Sequence, residues 1–368
     1  MQNFQTRVKN IVNYINNSGL NSFKDFYDGK TVLVTGGAGG IGSNLIIFLS
    51  QLVGENGKIV VLDNLSANRT KSNWNIYPAS NILFVQGDIR NNIDLQRCFR
   101  ERIEIVFHLA AFFANQNSID YPGNSADVDI KGLINILDYS TICNVKRFIY
   151  ASSGCAIYGS YPELPLKEDF ISMHLTTPYQ INKMAGEMYC NYYLHHFNLP
   201  IVNCRFFNSY GPGEVPGQYR NVIPNFMYWM KKSIEIPLTG DGSETRDFTY
   251  VYDLCQGLIK AGFETRAIGQ NFNLASGKEV KIMDLINKVG KAFGKDYKIV
   301  KRPRRKWDTK PRLLASIKKA KDLINYEPII EFNKGLEETF SWYHENWEFI
   351  EELADFKPGM NSAVRKRI

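Results

Sequence analysis

Thr31-Val-Leu-Val-Thr35 runs directly into Gly36-Gly-Ala-Gly-Gly-Ile-Gly42, and this join of an apolar strand to a glycine cluster decides the fold. Gly36, Gly39 and Gly42 carry no Cβ, so backbone can approach a bound pyrophosphate and the next helix can start close against the strand. The first N–H groups of that helix then aim at the phosphates. The stretch from Gly36 to Gly42, Ile41 included, is expected to form a dinucleotide site.

A glycine triplet alone also fits an ordinary tight turn. Here a second apolar strand, Lys58-Ile-Val-Val-Leu62, ends at Asp63, roughly twenty residues past the last glycine, where a carboxylate can accept both ribose hydroxyls of the adenosine half. The same charge repels a 2′-phosphate, so NAD is expected over NADP. Arg69 and Lys71 follow closely and partly offset that repulsion, which keeps NADP as the alternative.

Further apolar strands are expected at 82–85, 104–109, 146–151 and 200–206, separated by helical segments. That alternation predicts an α/β fold, a Rossmann-type doubly wound parallel sheet with helices on both faces. Ile105-Val-Phe-His-Leu109 is apolar almost throughout, as a strand buried on both sides requires. Past residue 210 the rhythm loosens: Gly211-Pro-Gly-Glu-Val-Pro-Gly217 reads as loop, 222–232 as helix, and 236–239, 247–251 and 272–274 as short strands. The expected organisation has four parts. Residues 1–28 form a helical extension, with Val8, Ile11, Val12 and Ile15 at helical spacing. Residues 29–209 form the Rossmann domain, which strands from about 247–275 rejoin; 210–246 and 276–350 form a smaller, interleaved substrate-binding lobe; 351–368 is a tail.

The 368 residues are 44% hydrophobic and 22% charged, the balance of a water-soluble globular chain. The longest apolar runs, such as Leu45-Ile-Ile-Phe-Leu49, are too short to cross a bilayer, and the N-terminus lacks the segments of a signal peptide. A cytoplasmic protein with no membrane partner is expected. Cys98, Cys143, Cys155, Cys190, Cys204 and Cys255 show no metal-ligand spacing, so no metal is expected and most should be small buried hydrophobes. The net charge of +7 is dispersed, apart from Lys301-Arg-Pro-Arg-Arg-Lys306 and Arg365-Lys-Arg367. The first cluster fits a phosphate-bearing small substrate better than a nucleic acid, and the second reads as a solvated end.

Tyr179-Gln-Ile-Asn-Lys183 sets a phenol and an ammonium four residues apart, on one face of a helix starting after Pro178. A tyrosine is a poor base at neutral pH, with a reference pKa of ~10, but a lysine cation and a nicotinamidium ring nearby would favour the phenolate. On an arbitrary helix such a pair is a surface contact; after a glycine-rich dinucleotide loop the catalytic reading prevails.

From about residue 30 to 345 the chain resembles the extended short-chain dehydrogenase/reductase family, in particular its nucleotide-sugar epimerases and dehydratases. The resemblance rests on Thr35-Gly-Gly-Ala-Gly-Gly-Ile-Gly-Ser43, Asp63-Asn-Leu-Ser66, Gly87-Asp-Ile-Arg90, His108-Leu-Ala-Ala111, Tyr150-Ala-Ser-Ser153, Tyr158-Gly159, Pro178-Tyr179 to Lys183, Arg205-Phe-Phe-Asn208, Tyr210-Gly-Pro212, Gly240-Asp-Gly242 and Arg246-Asp-Phe248. It implies NAD as cofactor, with Asp63 and Asn64 at the adenosine half, Asp88 and Ile89 at the adenine, Leu109, Ala110 and Ala111 along the cofactor, and Tyr179 and Lys183 at the nicotinamide. It also implies that Asn208 and Arg246 touch a sugar-nucleotide diphosphate, and that Arg305 with Asp308 lies near the phosphates and nucleoside ribose. Guanidinium groups suit phosphate oxygens and a carboxylate suits ribose hydroxyls. Arg246 could instead partner Asp247 or another nearby acid.

The loop Ala151-Ser-Ser-Gly-Cys-Ala-Ile157 looks one residue longer than the family pattern, in which a serine or threonine meets the reacting sugar oxygen. Counted from the strand, Ser153 takes that role; counted back from Tyr158, Gly154 would, leaving no hydroxyl. The strand register is preferred because strand pairing fixes it while a loop absorbs an extra residue; Ser152 and Cys155 are lesser candidates. Dehydratases of the family place an Asp-Glu pair in this loop, where this chain has Cys155 and Ala156, and decarboxylases of uronic-acid nucleotides place a glutamate there. The resemblance therefore implies an NAD-dependent nucleotide-sugar 4-epimerase of UDP-hexose type. A 4,6-dehydratase or other 4-keto-forming enzyme and a non-catalytic NAD(P)-binding sensor are the alternatives. Tyr189, Tyr192 and Tyr193 lie on the second of two helices that in this family make a two-fold interface, so a homodimer is expected, though these rings could equally cover the sheet.

Overall fold

The computed structural model describes residues 4–67, 70, 72–294 and 296–356. Arg69, Lys71 and the basic tail Arg365-Lys-Arg367, which bear on the NADP alternative and on the solvated end, lie outside the described residues.

Twelve strands are present among the described residues: β1 (Thr31–Thr35), β2 (Lys58–Asp63), β3 (Ile82–Gln86), β4 (Ile105–His108), β5 (Arg147–Ser153), β6 (Ile201–Phe206), β7 (Asn208–Tyr210), β8 (Ile236–Thr239), β9 (Thr245–Tyr250), β10 (Asn271–Leu274), β11 (Glu279–Lys281) and β12 (Ile299–Arg302). Seven form one sheet in the order β10-β6-β5-β4-β1-β2-β3, every pair parallel. The order reverses between β1 and β4, which opens a crevice at the carboxyl ends of those strands. Register carries the chemistry to that edge: Thr35 pairs with Leu62 and with His108, and His108 pairs with Tyr150. The loops leaving β1, β2, β4 and β5 thus start level with one another.

Burial follows the alternation of side chains along each strand. Val32 and Val34 enter the core on one face, with Ile46, Phe48 and the buried helix Val251–Phe263, while Leu33 enters the core on the other, with Val60, Val106 and Leu137. Gly42–Leu52, the helix after the glycines, is buried at ten of its eleven residues, so its position is set by packing on all sides.

Of the strands expected to rejoin this sheet from about 247–275, β10 does and β9 does not. β9 pairs in parallel with β7 and antiparallel with β11. The physical reason is chain direction: β7 follows β6 after the single residue Phe207 and leaves the plane of the main sheet, and β9 adds to it there, above the carboxyl edge. β8 and β12 pair as a separate ribbon. Together with the helices Val222–Lys231 and Ile282–Phe293 these strands roof the crevice.

The N-terminal extension is a helix, Gln5–Asn17, followed by the short turns Leu20–Phe23 and Lys24–Tyr27. Ile11 and Ile15 are buried as the spacing requires; Val8 and Val12 are only partly so, and Arg7 and Tyr14 complete the buried face instead. Tyr14 donates to Asp253 Oδ1 (2.6 Å) and packs edge-on against Phe48 and Tyr252, so the extension joins the main core. All six cysteines are free; Cys98, Cys190, Cys204 and Cys255 are buried, Cys155 is half-buried and Cys143 is exposed. Among the described residues no helix is long and apolar enough to cross a membrane.

Candidate active site

A cleft of about 810 Å³ lies between the carboxyl edge of the sheet and its roof. Gly36, Gly39, Ile41, Gly42, Asp63, Asn64, Asp88, Ile89, Leu109, Ala110, Ala111, Ser153, Tyr179, Lys183, Asn208, Arg246, Arg305 and Asp308 all line it. Residues spread over more than 270 positions of chain therefore meet in one cavity.

The glycine-rich end has the cradle a dinucleotide needs. Gly36 adopts φ +74°, and a Cβ there would stand 2.7 Å from Ala110 N; a Cβ on Gly42 would stand 2.3 Å from Gly36 O. Side chains are excluded from both places by backbone, not by flexible neighbours. Asp63 closes the next turn: its carboxylate accepts from Ala38 N (2.9 Å) and Leu65 N (2.7 Å), and burial pushes its pKa up. Each carboxylate oxygen has a second lone pair for a ligand hydroxyl. Asp88 is gripped by Arg90 Nε and Nη2 (2.9 and 2.8 Å) and by Asn64 Nδ2 (2.9 Å), and these bonds pull it down to about 2.

At the centre stands the helix Pro178–Phe197, which includes Pro178 as its first residue. Thr177 and Gln180 form a capping box at its start, so the first turn, and Tyr179 with it, is held from two directions. Tyr179 and Lys183 are both buried, and Lys183 Nζ lies 5.8 Å from the Tyr179 ring. Lys183 donates to Ala151 O at 2.7 Å. Burial raises the Tyr179 pKa and the charge of Asp129 adds to it, while a hydrogen bond with Ser153 lowers it. Burial lowers that of Lys183, against the pull of Asp129. Burial of the pair thus favours the neutral phenol over the phenolate.

Ser153 is the last residue of β5 and faces Tyr179, which fits the strand register. Gly154 packs against the Phe207 ring, where a Cβ would be 2.1 Å from Cε2. Ser152 is engaged elsewhere: it donates to Glu187 Oε1 (2.5 Å), itself paired with Arg205 (2.8 Å). Cys155 lines the cleft with its thiol pushed up to about 11 by burial.

At the roof, Arg246 Nη2 meets Asp308 Oδ1 at 2.9 Å. Its acid partner is therefore Asp308; Asp247, the neighbour named from sequence, accepts instead from the backbone of Ser276, Gly277 and Ala315. Arg305 stacks over Trp307 (5.3 Å). Of the basic run 301–306 only Arg305 lines the cleft; Lys301 and Arg302 lie exposed on β12.

Four cleft residues had no distinguishing spacing in the sequence. Lys310 donates to Cys155 O (3.1 Å), and burial lowers it to about 8. Trp307 donates to Gln116 Oε1 (3.0 Å). Arg220 donates to Ala67 O (2.6 Å) near Glu214, whose carboxyl burial raises to about 7.

Residues 32–275 match the model of the NAD dependent epimerase/dehydratase family. The structure of the epimerase Mth375 of Methanothermobacter thermautotrophicus superposes with a TM-score of 0.88 at 48% identity, covering 91% of this chain and 98% of that one. The UDP-glucose 4-epimerase of Thermotoga maritima, solved with UDP-glucose, gives 0.79 at 30% identity, covering 86% and 99%. A UDP-glucuronate 4-epimerase of Thermodesulfobacterium geofontis is 32% identical over 329 residues, 87% of this chain and 98% of that protein. The chain belongs to the NAD-dependent epimerase/dehydratase family.

Proposed function

We propose that this NAD-dependent nucleotide-sugar epimerase inverts C4 of a UDP-hexose through a transient 4-keto sugar. The carrying observation is the meeting of Tyr179, Lys183 and Ser153 midway along a cleft that has a glycine cradle at one end and Arg246 and Arg305 at the other. The loop beside Ser153 bears Cys155 and Ala156 where a dehydratase needs carboxylates, which favours epimerisation. The UDP-glucose and UDP-glucuronate 4-epimerases among its relatives support the same substrate class.

NAD, when bound, supplies the acceptor and later the donor of the C4 hydride. Tyr179 takes the 4-hydroxyl proton as the hydride leaves C4, and Ser153 donates to the oxygen. Lys183, anchored on Ala151 O, orients the cofactor's ribose and offsets the charge on the phenolate. Because burial opposes that charge, ionisation of Tyr179 is coupled to the arrival of a cationic ring. Asn208, Arg246 and Arg305 hold the diphosphate while the 4-keto hexose turns over. The phenol of Tyr179 would then give its proton back to O4 once the turned sugar presents its opposite face. Binding energy is thus placed on the nucleotide, away from the ring that must rotate.

A two-fold dimer through the helix Pro178–Phe197 belongs to the same reading. Tyr189 and Tyr192 point outward with Ile181 and Met188, whereas Tyr193 turns inward to donate to Asp138. Incubation with UDP-glucose, UDP-N-acetylglucosamine and UDP-glucuronate, with epimers resolved by NMR, tests the activity. A 4-epimer of at least one is expected, abolished by Tyr179→Phe; a stable 4-keto-6-deoxy product would replace epimerase by dehydratase.

A further inference from the structure

Arg7 sits on the N-terminal helix Gln5–Asn17, outside the residues 32–275 that match the family model. It is 2% exposed, and among the described residues no carboxylate lies within ion-pair distance of it. Its partners are neutral: Nε donates to Asn44 Oδ1 (2.9 Å), Nη1 to Asn75 Oδ1 (2.9 Å) and Nη2 to Ser43 Oγ (2.6 Å). A buried cation without a countercharge is expensive, and proteins ordinarily pair it. Burial lowers its pKa to about 10, the direction such a site imposes.

Each neutral partner leads to the glycine-rich loop. Asn44 Nδ2 donates to Gly40 O (2.7 Å) and Pro212 O (2.7 Å); Asn75 Nδ2 donates to Ala38 O (3.2 Å) and Gly213 O (3.0 Å). Ser43 is the second residue of the helix that the loop opens. These bonds hold the loop's carbonyls on the Arg7 side. A trans peptide sets its N–H opposite its C=O, so fixing Gly40 O there aims the N–H of Ile41 the other way, toward the cleft it lines. Gly213 completes the pocket, since a Cβ on it would stand 2.9 Å from Arg7 Nη2.

We propose that Arg7 is a positioning residue for the cofactor: it locks the glycine-rich loop with its N–H groups toward the diphosphate of NAD, which in turn supplies the countercharge that the buried guanidinium lacks. The proposal rests on the reading of this cleft as the NAD site. It gives the N-terminal extension a role in cofactor binding and makes the two events reciprocal: NAD tightens the docking of the extension, and the extension tightens NAD by the same factor.

The test uses the full chain freed of nucleotide, as wild type, Arg7→Gln and Arg7→Lys, with calorimetric titration of NAD, ADP and adenosine. Arg7→Gln should weaken NAD and ADP tenfold or more, equivalent to about 1.4 kcal/mol, and leave adenosine within twofold. Arg7→Lys should recover part of the loss, since it keeps the charge and loses the three-way fork. Equal losses for adenosine and ADP, or NAD and ADP affinities within twofold of wild type, overturn the proposal. Wild type that binds none of the three removes the cofactor site itself, and the proposal with it. If Arg7→Gln does not fold, hydrogen exchange on wild type decides: saturating NAD should slow exchange in residues 5–17 as well as in 36–44, and protection confined to 36–44 rejects the coupling.

Discussion

Alanine at Gly42 and at Gly39 should fail in different ways. A Cβ on Gly42 would lie 2.3 Å from Gly36 O and 2.7 Å from Gly37 Cα, and both are backbone atoms of the turn between β1 and the next helix. Relief requires the helix Gly42–Leu52 to retreat by about an ångström, yet it is packed on every side. Overpacking of this kind costs roughly 1–3 kcal/mol. With an unfolding entropy of about 2 cal/mol/K per residue, a chain of this length loses roughly 1.3 °C of Tm per kcal/mol, so Gly42→Ala should lower the Tm of the nucleotide-free protein by about 1–4 °C. A Cβ on Gly39 meets only Gly36 O, at 3.3 Å, and otherwise projects into open space. Gly39→Ala should keep the wild-type Tm within about a degree and weaken NAD, because the methyl occupies room the diphosphate needs. Differential scanning calorimetry without ligand, followed by titration with NAD, separates the two. Equal destabilisation of the free protein by both substitutions, or none by Gly42→Ala, would refute the assignment of separate roles.

Glu187→Gln removes the charge facing Arg205, which is 1% exposed and also donates to Tyr158 OH (2.9 Å) and Glu168 O (3.0 Å). Breaking a buried pair in this way costs roughly 3–5 kcal/mol, a Tm loss of about 4–6 °C readable by circular dichroism. Arg246→Gln should raise KM for the nucleotide sugar at least tenfold with a smaller change in kcat, because the guanidinium serves binding and not the hydride step; a fall in kcat alone would contradict this. His108 is buried against Thr35 Oγ1 (2.8 Å), and burial depresses its pKa to about 3. Below the unfolded value of ~6.5 the unfolded chain takes up a proton that the folded chain refuses. Stability is therefore lost as pH falls from about 6.5 toward 3, by up to about 1.4 kcal/mol per pH unit. Asp247 and Asp253, raised to about 6 by burial, act in the opposite sense, so the measurement is the difference between wild type and His108→Asn. The variant should show the shallower acid decline between pH 6.5 and 4.5.

The parallel sheet was legible because its central strands β1, β2 and β4 are short, mostly apolar runs, and such runs have few other places to go. The glycine turn and the Tyr179-Lys183 pair were legible because their geometry is local: four residues along a helix, or one tight turn, set the relation without help from the rest of the chain. Longer-range relations were not. β9 reads like any other strand, and only the departure of β7 from the sheet plane decides where it pairs. Asp308 faces Arg246 across 62 positions, a separation at which neighbouring Asp247 looked the nearer acid. Arg7 interrupts the apolar face of its helix, so periodicity placed Val8 and Val12 there instead. Lys310 lacks any spacing that sets it apart from the basic residues before it, and its position at Cys155 O arises only when the roof closes.

The central claim is that the C4 hydrogen leaves as hydride and returns to the same carbon within a closed site. Conversion of UDP-hexose deuterated at C4, whichever hexose proves active, followed by NMR of both epimers, addresses it directly. Full retention of deuterium at C4 in the product, with no uptake at C4 or C5 when unlabelled substrate turns over in D2O, is the expected result. Loss of the C4 label to solvent, or solvent deuterium appearing at C5, would contradict it.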